Sequence, residues 1–496
     1  MKRKQKKSRI ANSQPVVPSI QAETFRELLS PAEYELLLAE IERPLPAAIR
    51  INPLKNSPAF PRSLESKYSW QLEDIPFCPT GYRVLNAPTA AISAALEHHL
   101  GMYYIQEVAS MLPVELFSAF PAGELILDMA ASPGGKTTHL VSRGTDQSLV
   151  LANDSSQGRI QALRSVLQNW GAVDYAVTRF PAERFGEWFP ETFDKVLLDA
   201  PCSMQGLRTA ESHPSRPVTA KESLQLSRRQ RAMLVSAIHA LRVGGEVVYS
   251  TCTLLPEEDE LVVDAILREF SGSIEITDAQ RLLPFPAPGL TKVREQVLST
   301  ELEKSLRLWP HRYQSAGFFA CHLRKLDATH NATSEPPFRA LESVQYHVFT
   351  AREECDFCQV FTDLYGFDLA ADLRSNRRTL VRHFEQVFVF PLQLLERFST
   401  LPVQAAGMLL GEDTPEGFLP AHAWVSRYGA QCARGYYRLD EYQSAQWIKG
   451  NNLENIDAGD LPGQKYIIVL DHEGRALGRA ARAGSGLKNL LRHRLG

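Results

Sequence analysis

Four runs of strand character, Glu124 to Ala130, Ser148 to Asp154, Lys195 to Pro201 and Gly245 to Cys252, alternate with helical periodicity at Arg159 to Trp170 and Leu226 to Leu241. This βαβ alternation requires crossover connections and so a mainly parallel sheet. The chain is therefore expected to build an open α/β sheet whose ligands bind in the crevice beyond the carboxyl ends of the strands. The second helix is expected to end at Gly244-Gly245.

With 496 residues the chain exceeds one ordinary domain. Ser30-Pro31-Ala32-Glu33 combines an N-cap, a proline at the first helical position and a capping-box glutamate ahead of Tyr34 to Leu38. It opens an N-terminal helical lobe. Polar and proline-bearing residues from Ala328 to Pro337 mark a linker, and the runs Gln386 to Pro391 and Lys465 to Leu470 beyond it indicate a smaller α+β or β-barrel appendage. The expected layout is a basic tail over 1-20, an N-terminal lobe over 21-100, the α/β domain over 101-326, a linker over 327-338 and a C-terminal extension over 339-496.

The formal net charge of −3 excludes a uniformly basic nucleic-acid protein, so affinity for phosphates must come from local patches. Lys2, Arg3, Lys4, Lys6, Lys7 and Arg9 form one, which reads equally as a solvated tail or as an RNA contact. Arg475, Arg479, Arg482, Lys488, Arg492 and Arg494 form another. No segment approaches the length of a membrane span, so a soluble, cytoplasmic protein with reduced thiols is expected. Cys355 and Cys358 have no second pair at metal spacing; they are expected to be structural, and no metal is expected.

The tract Leu127-Asp128-Met129-Ala130-Ala131-Ser132-Pro133-Gly134-Gly135-Lys136-Thr137 is a strand running through a glycine turn into a helix. Gly134 and Gly135 let backbone amides approach a ligand at the positive end of that helix. A nucleotide-triphosphatase loop is excluded because Ala130 stands where its first glycine is needed, and no G-x-G-x-x-G supports a nicotinamide or flavin site. Asp154 ends the next strand, where a carboxylate either takes the ribose hydroxyls of a nucleoside or caps the following turn.

Asp199-Ala200-Pro201-Cys202-Ser203 and Ser250-Thr251-Cys252-Thr253 each place a cysteine just past a strand end. A lone free cysteine is commonly a small buried hydrophobe. Two at adjacent crevice-facing strand ends point to chemistry instead. A thiolate added to carbon 6 of cytosine or uracil turns carbon 5 into an enamine-like nucleophile that takes a methyl group. The reaction needs a cysteine, an acid at ring nitrogen 3, a methyl donor and a route for eliminating the carbon 5 proton. Asp199 supplies the acid, and either cysteine can attack.

These tracts, with Arg50-Ile51-Asn52-Pro53-Leu54-Lys55, Tyr104-Ile105-Gln106-Glu107, Ser110-Met111-Leu112-Pro113 and Gly317-Phe318-Phe319, resemble the Sun-type RNA (cytosine-C5)-methyltransferases over most of the chain before the linker. The resemblance implies a Rossmann-like S-adenosylmethionine-dependent methyltransferase sheet. The length and the ending Gly486-Leu487-Lys488-Asn489 look most like the bacterial branch that modifies small-subunit ribosomal RNA, whose extension includes a PUA-like RNA-binding domain. By the same resemblance Cys252 attacks the base, Cys202 assists release, Asp199 holds the cytosine and Lys136 lies beside the cofactor and the catalytic loop. Asp154 binds ribose, the backbone from Ala131 through Ser132, Pro133, Gly134 and Gly135 to Lys136 cradles the methionine part, and Ala130, Arg159, Asp199 and Pro201 complete the cofactor site.

The expected partner is ribosomal RNA or the small subunit, with transfer RNA as the alternative substrate and a weakly catalytic RNA-binding or assembly protein as the alternative class. A monomer is expected. The target cytosine must be single-stranded or flipped out, and Arg50 and Lys55 are candidate phosphate contacts. Three departures from the family stand out. Pro181 occupies the place of an aspartate that meets adenine, leaving Glu183 or backbone for that task. Met204 replaces a glycine, and Arg208 to Pro214 replaces a more basic tract.

Overall fold

The computed structural model describes residues 23–206, 218–329, 332–456 and 461–491. The basic run before Ile10, the tract Arg208 to Pro214, and Arg492 and Arg494 lie outside the described residues.

The helix signalled at Ser30 forms. In α1 (Pro31–Ile41), Ser30 and Glu33 satisfy each other's backbone amides as a capping box, with Pro31 in the first turn. The lobe it opens is mixed rather than only helical. Strands β1 (Ala47–Ile51), β2 (Leu72–Ile75), β3 (Cys78–Val84) and β4 (Tyr103–Ile105) form an antiparallel sheet ordered β2-β3-β1-β4. The sheet is completed beyond residue 100, inside the segment assigned to the α/β domain. These strands are short, and β2 exposes Glu73 and Asp74 in succession, so no period of two marks it in the sequence.

The strand and helix alternation produces the expected sheet. Seven of its nine strands are β5 (Leu125–Asp128), β6 (Leu149–Asn153), β7 (Tyr175–Thr178), β8 (Phe193–Asp199), β9 (Leu241–Thr251), β10 (Ile274–Ile276) and β11 (Phe318–Lys325), ordered β10-β11-β9-β8-β5-β6-β7, with Leu306–Leu308 also paired to β11 and Ala405–Ala406 to β7. Strands β5 to β9 pair in parallel, while β11 runs antiparallel to both β9 and β10. Alternate residues point to opposite faces. Leu125, Leu127, Val196, Leu198, Val247 and Tyr249 pack on α5 (Ala220–Ala240) and α6 (Glu260–Glu269). Ile126, Val150, Leu197 and Val248 pack on the other side against α2 (Val108–Glu115), α3 (Gly135–Arg143) and α4 (Gln157–Trp170). Both faces are covered, which is why the strands read as nearly continuous apolar runs.

One expected boundary is corrected. Helix α5 passes at Ala240 directly into β9, so Gly244 and Gly245 lie within the strand rather than at a helix cap. A Cβ on Gly245 would stand 2.8 Å from the Asp194 carbonyl, where the β8 and β9 register shifts. Glycine here permits close approach of two backbones.

Helices α2 and α3 are joined by a buried polar group. Glu115 accepts a hydrogen bond from His139 Nε2 at 2.9 Å and pairs with Arg143. Burial, and then the charge of Arg50, push the His139 imidazole down to about 4. Below the ordinary histidine value the unfolded chain takes up a proton that the folded chain refuses, so stability present above about pH 6.5 is lost as pH falls towards 4. The loss from this group is about 3 kcal/mol. Denaturant titrations across that window are expected to show a flatter pH slope for His139→Gln than for the unsubstituted protein.

The C-terminal extension holds two sheets. One is five-stranded and antiparallel, from Tyr346–Val348 to Gly417–Pro420; the other is four-stranded, from Tyr436–Arg438 to Gly486–Asn489. The extension is bonded into the rest of the chain. Ala405–Ala406 pairs with β7 at the edge of the central sheet. Arg378 reaches Asp146 at 2.7 Å and Asp174 at 3.0 Å, and Arg427 joins the same Asp146. Arg475 pairs with Glu97 of the N-terminal lobe at 2.9 Å. Cys358 is buried among Phe361 and Tyr365 while Cys355 is exposed on the same helix; neither is in a disulfide. Among the described residues no helix is long and apolar enough to cross a membrane.

Candidate active site

Beyond β5 the chain turns through Ala130 to Pro133 and reaches Gly134 at φ +116°, a conformation that favours glycine, before α3 begins at Gly135. A Cβ at Gly134 would stand 3.0 Å from Val166, and one at Gly135 2.9 Å from the Tyr104 ring. Asp128 lies below this turn and accepts from Thr137 Oγ1 at 2.7 Å; burial pushes its carboxyl up to about 7.

Arg50 and Lys55 are not phosphate contacts. Arg50 is wholly buried, donating to the Gly135 carbonyl at 2.9 Å, Thr138 Oγ1 at 2.7 Å and Gln106 Oε1 at 3.1 Å, with its guanidinium over the Trp170 ring. It braces the glycine turn from beneath. Lys55 Nζ donates to the carbonyls of Leu100 and Asn169 and to Ser426 Oγ, and so joins the lobe, α4 and the extension. A solitary basic residue carries no sequence sign of whether carbonyls or water surround its head.

A cavity of about 200 Å³ opens over the turn, lined by Tyr104, Glu107, Ala131, Ser132, Lys136 and Asp199 among others. Ser132 Oγ is buried at its wall with no partner among the described residues. Asp154 follows β6 and accepts from the amide of Ser156 at 2.8 Å and that of Ser132 at 3.3 Å, so it caps its turn and also holds the loop of β5. Arg159 donates to the Ser132 carbonyl and stands 3.7 Å from Asp154. Glu183, the candidate for adenine, is ion-paired with Arg229 at 2.9 Å.

The two strand-end cysteines meet. Cys202 Sγ and Cys252 Sγ lie 3.1 Å apart. Asp199 is held at both oxygens, by Lys136 Nζ at 2.8 Å and Ser250 Oγ at 2.8 Å, and Lys136 also donates to Ser110 Oγ. The contact with Cys252, together with burial, holds the Cys202 thiol well above its ordinary range. Burial lowers the Lys136 ammonium, but Asp199 and the adjacent Cys252 outweigh it and leave it raised. Pro201 contributes its carbonyl, which accepts from Gln230 Nε2 at 3.0 Å. Ser110 and Ser250 lie in tracts the sequence singles out but carried no assigned role there, and Gln230 escaped the sequence reading.

Met204 takes φ +60°, which explains why glycine suits this place in the family. Met204→Gly is expected to stabilise the fold by up to about 1 kcal/mol, read as an increase in denaturation midpoint. Gly206 is tighter: a Cβ there would lie 2.5 Å from the Gly317 carbonyl and 2.8 Å from the Cys252 carbonyl. Neither is a side chain that can swing away. Gly206→Ala is expected to displace Cys252 and lower kcat on the order of 10- to 100-fold, measured in single-turnover methylation.

Among the described residues, Cys78, Glu115 and His139 are the grouping whose metal-ligating atoms come together, within 4.8 Å of one another. Arg143 is paired with Glu115 and the charge of Arg50 acts on both Glu115 and Cys78, so guanidinium groups already supply the positive charge there.

The strand order, the glycine turn and the acid and thiols at the carboxyl ends define a Rossmann-like methyltransferase of the S-adenosylmethionine-dependent class. Residues 119–324 match the model of the 16S rRNA methyltransferase RsmB/F, and residues 18–108 that of the N-terminal domain of 16S rRNA methyltransferase RsmF. The chain belongs to this RsmB/F family. It is 32% identical over 465 residues to the ribosomal RNA small subunit methyltransferase F of Klebsiella pneumoniae, covering 92% of this chain and 91% of that one. Identity to the Erwinia tasmaniensis protein of the same description is 30% over 482 residues, 95% of each chain. Among solved structures, a methyltransferase homolog from Pyrococcus horikoshii superposes with a TM-score of 0.52 at 28% identity, over 62% of this chain and all of that one.

Proposed function

We propose that this chain methylates carbon 5 of a cytosine in small-subunit ribosomal RNA, in the cytoplasm, using S-adenosylmethionine. The observation that carries the reading is the pair of thiols 3.1 Å apart beside an Asp199 whose two oxygens are fixed. The cofactor residues fit: Gly134 and Gly135 clear space above the turn, Ser132 Oγ awaits a partner in the cavity, and the raised Lys136 keeps a positive charge at its edge. Ala130 to Lys136 would hold the methionine part, with Asp154 and Arg159 at the ribose and Pro201 beside the ring. Pro181 has no carboxylate to offer adenine, and Glu183 is occupied by Arg229, so backbone groups take that role. When bound, S-adenosylmethionine supplies an electrophilic methyl group.

Asp199 holds the cytosine by its nitrogen edge. Cys252, next to the Lys136 ammonium, attacks carbon 6; a sulfur–carbon bond forms and the electrons of the carbon 5–carbon 6 double bond move to carbon 5. After carbon 5 has gained its methyl group, its proton passes to solvent water, the electrons of that carbon–hydrogen bond restore the double bond, and the sulfur–carbon bond breaks to expel the Cys252 thiolate. Cys202, held as a thiol 3.1 Å away, assists that release. The RNA backbone lies along the N-terminal lobe and the PUA-like end of the extension. There Arg482 and Lys488 face the phosphates rather than Arg475, which is bonded to Glu97 and Asp471.

Labelled methyl transfer to unmodified small-subunit ribosomal RNA, assembled subunits and transfer RNA tests the substrate. Labelling of the ribosomal substrates alone is expected. Preferential labelling of transfer RNA would contradict the assignment, and tight RNA binding without labelling would favour the weakly catalytic class.

A further inference from the structure

The acids immediately after Cys252 form no solvated face. Glu258, Asp259 and Glu260 are all fully buried; Asp259 and Glu260 share Arg307, while Glu258 bonds elsewhere. Asp259 accepts from Thr251 Oγ1 at 2.5 Å, and Arg307, which pairs with Asp259 and Glu260, also donates to the Leu254 carbonyl at 2.9 Å. These bonds hold the Cys252 loop on both sides of the thiol. Glu258 turns the other way. Its Oε2 accepts from the amide of Ser203, the residue after Cys202, at 3.0 Å, and from Gln230 Nε2 at 2.9 Å; the same Gln230 nitrogen donates to the carbonyl of Pro201, the residue before Cys202. The backbone on both sides of Cys202 is therefore anchored to one carboxyl group that is itself six residues along the chain from Cys252.

We propose that Glu258 is a positioning residue for Cys202, holding its thiol at the distance from Cys252 that release of the methylated base requires. The inference rests on the roles given above to the two cysteines. Among the described residues, Glu258 makes no side-chain hydrogen bond to the Cys252 loop, which has its own anchors in Asp259 and Arg307. Its removal should therefore spare attack and impair release. The geometry needs an acceptor at Oε2, while Oε1 is buried without a partner among the described residues. Burial also shifts this carboxyl towards its neutral form, whose shape glutamine copies.

The test follows adduct formation and decay in single-turnover reactions with small-subunit ribosomal RNA and S-adenosylmethionine, using the unsubstituted protein, Glu258→Ala, Glu258→Gln and Cys202→Ala. Glu258→Ala is expected to form the protein–RNA adduct at close to the normal rate and to resolve it on the order of 10- to 100-fold more slowly. Glu258→Gln is expected to restore most of the release rate. The proposal is overturned if Glu258→Ala slows formation and decay alike, if it turns over normally, or if Glu258→Gln is as impaired as alanine. Accumulation with Cys202→Ala but not with Glu258→Ala would remove the proposal and leave the cysteine roles standing. Absence of accumulation with Cys202→Ala would remove both.

Discussion

Cys252→Ala is expected to abolish methyl transfer, a loss on the order of 10⁴-fold or more because no other group supplies the covalent path. Cys202→Ala is expected to behave differently, forming an adduct with the RNA that resists denaturation and migrates as a single heavier band. The contrast follows from the electrostatics of two thiols in contact. Only one can ionise readily, since a second negative sulfur 3.1 Å away is disfavoured at short range in a buried site. Cys202 is the one held as a thiol, by its contact with Cys252 and by burial. Denaturing electrophoresis with labelled RNA distinguishes the variants. An adduct trapped by Cys252→Ala and lost with Cys202→Ala would reverse the roles.

Arg378→Ala is expected to destabilise the protein by about 3 to 5 kcal/mol, because removing one partner of a buried ion pair leaves the other charge uncompensated. Arg378 is 4% exposed, and its guanidinium meets two aspartates from the α/β domain, Asp146 and Asp174. Burial alone would raise the Asp146 carboxyl; Arg427 and Arg378 more than offset this and hold it at about 2. Without Arg378, Arg427 remains for Asp146, but Asp174, which burial and Asp146 already push up to about 7, loses its closest cation. The extension is thereby loosened from β7 and the loop after α3. Urea denaturation at neutral pH is the check, and a change below about 1 kcal/mol would mean that the pairing contributes only as an exposed salt bridge does.

Strands β5, β6, β8 and β9 were legible in the sequence because they are buried on both faces and read as apolar runs, as was Gln386–Pro391, whereas β7, β10 and β11 were not read from it. The antiparallel sheet of the N-terminal lobe was not, since β2 and β4 are too short to display a pattern. Cys202, Cys252 and Asp199 were singled out by their places at strand ends, and Lys136 by the family resemblance. What joins them was hidden. Glu257 to Asp259 reads as an ordinary acidic stretch, and only packing reveals that Glu258 and Asp259 are buried and bound to separate loops. Arg50 illustrates the converse. Its charge suggested RNA, whereas the fold uses it to hold a carbonyl of the glycine turn.

The central claim is that carbon 5 of cytosine is the atom methylated. Small-subunit ribosomal RNA tritiated at carbon 5 of its cytosines, incubated with the protein and S-adenosylmethionine, should release tritium to water in proportion to methyl incorporated, since the carbon 5 hydrogen must leave in every completed turnover. Methyl incorporation without tritium release would place the reaction on another atom of the base or on the ribose and contradict the account.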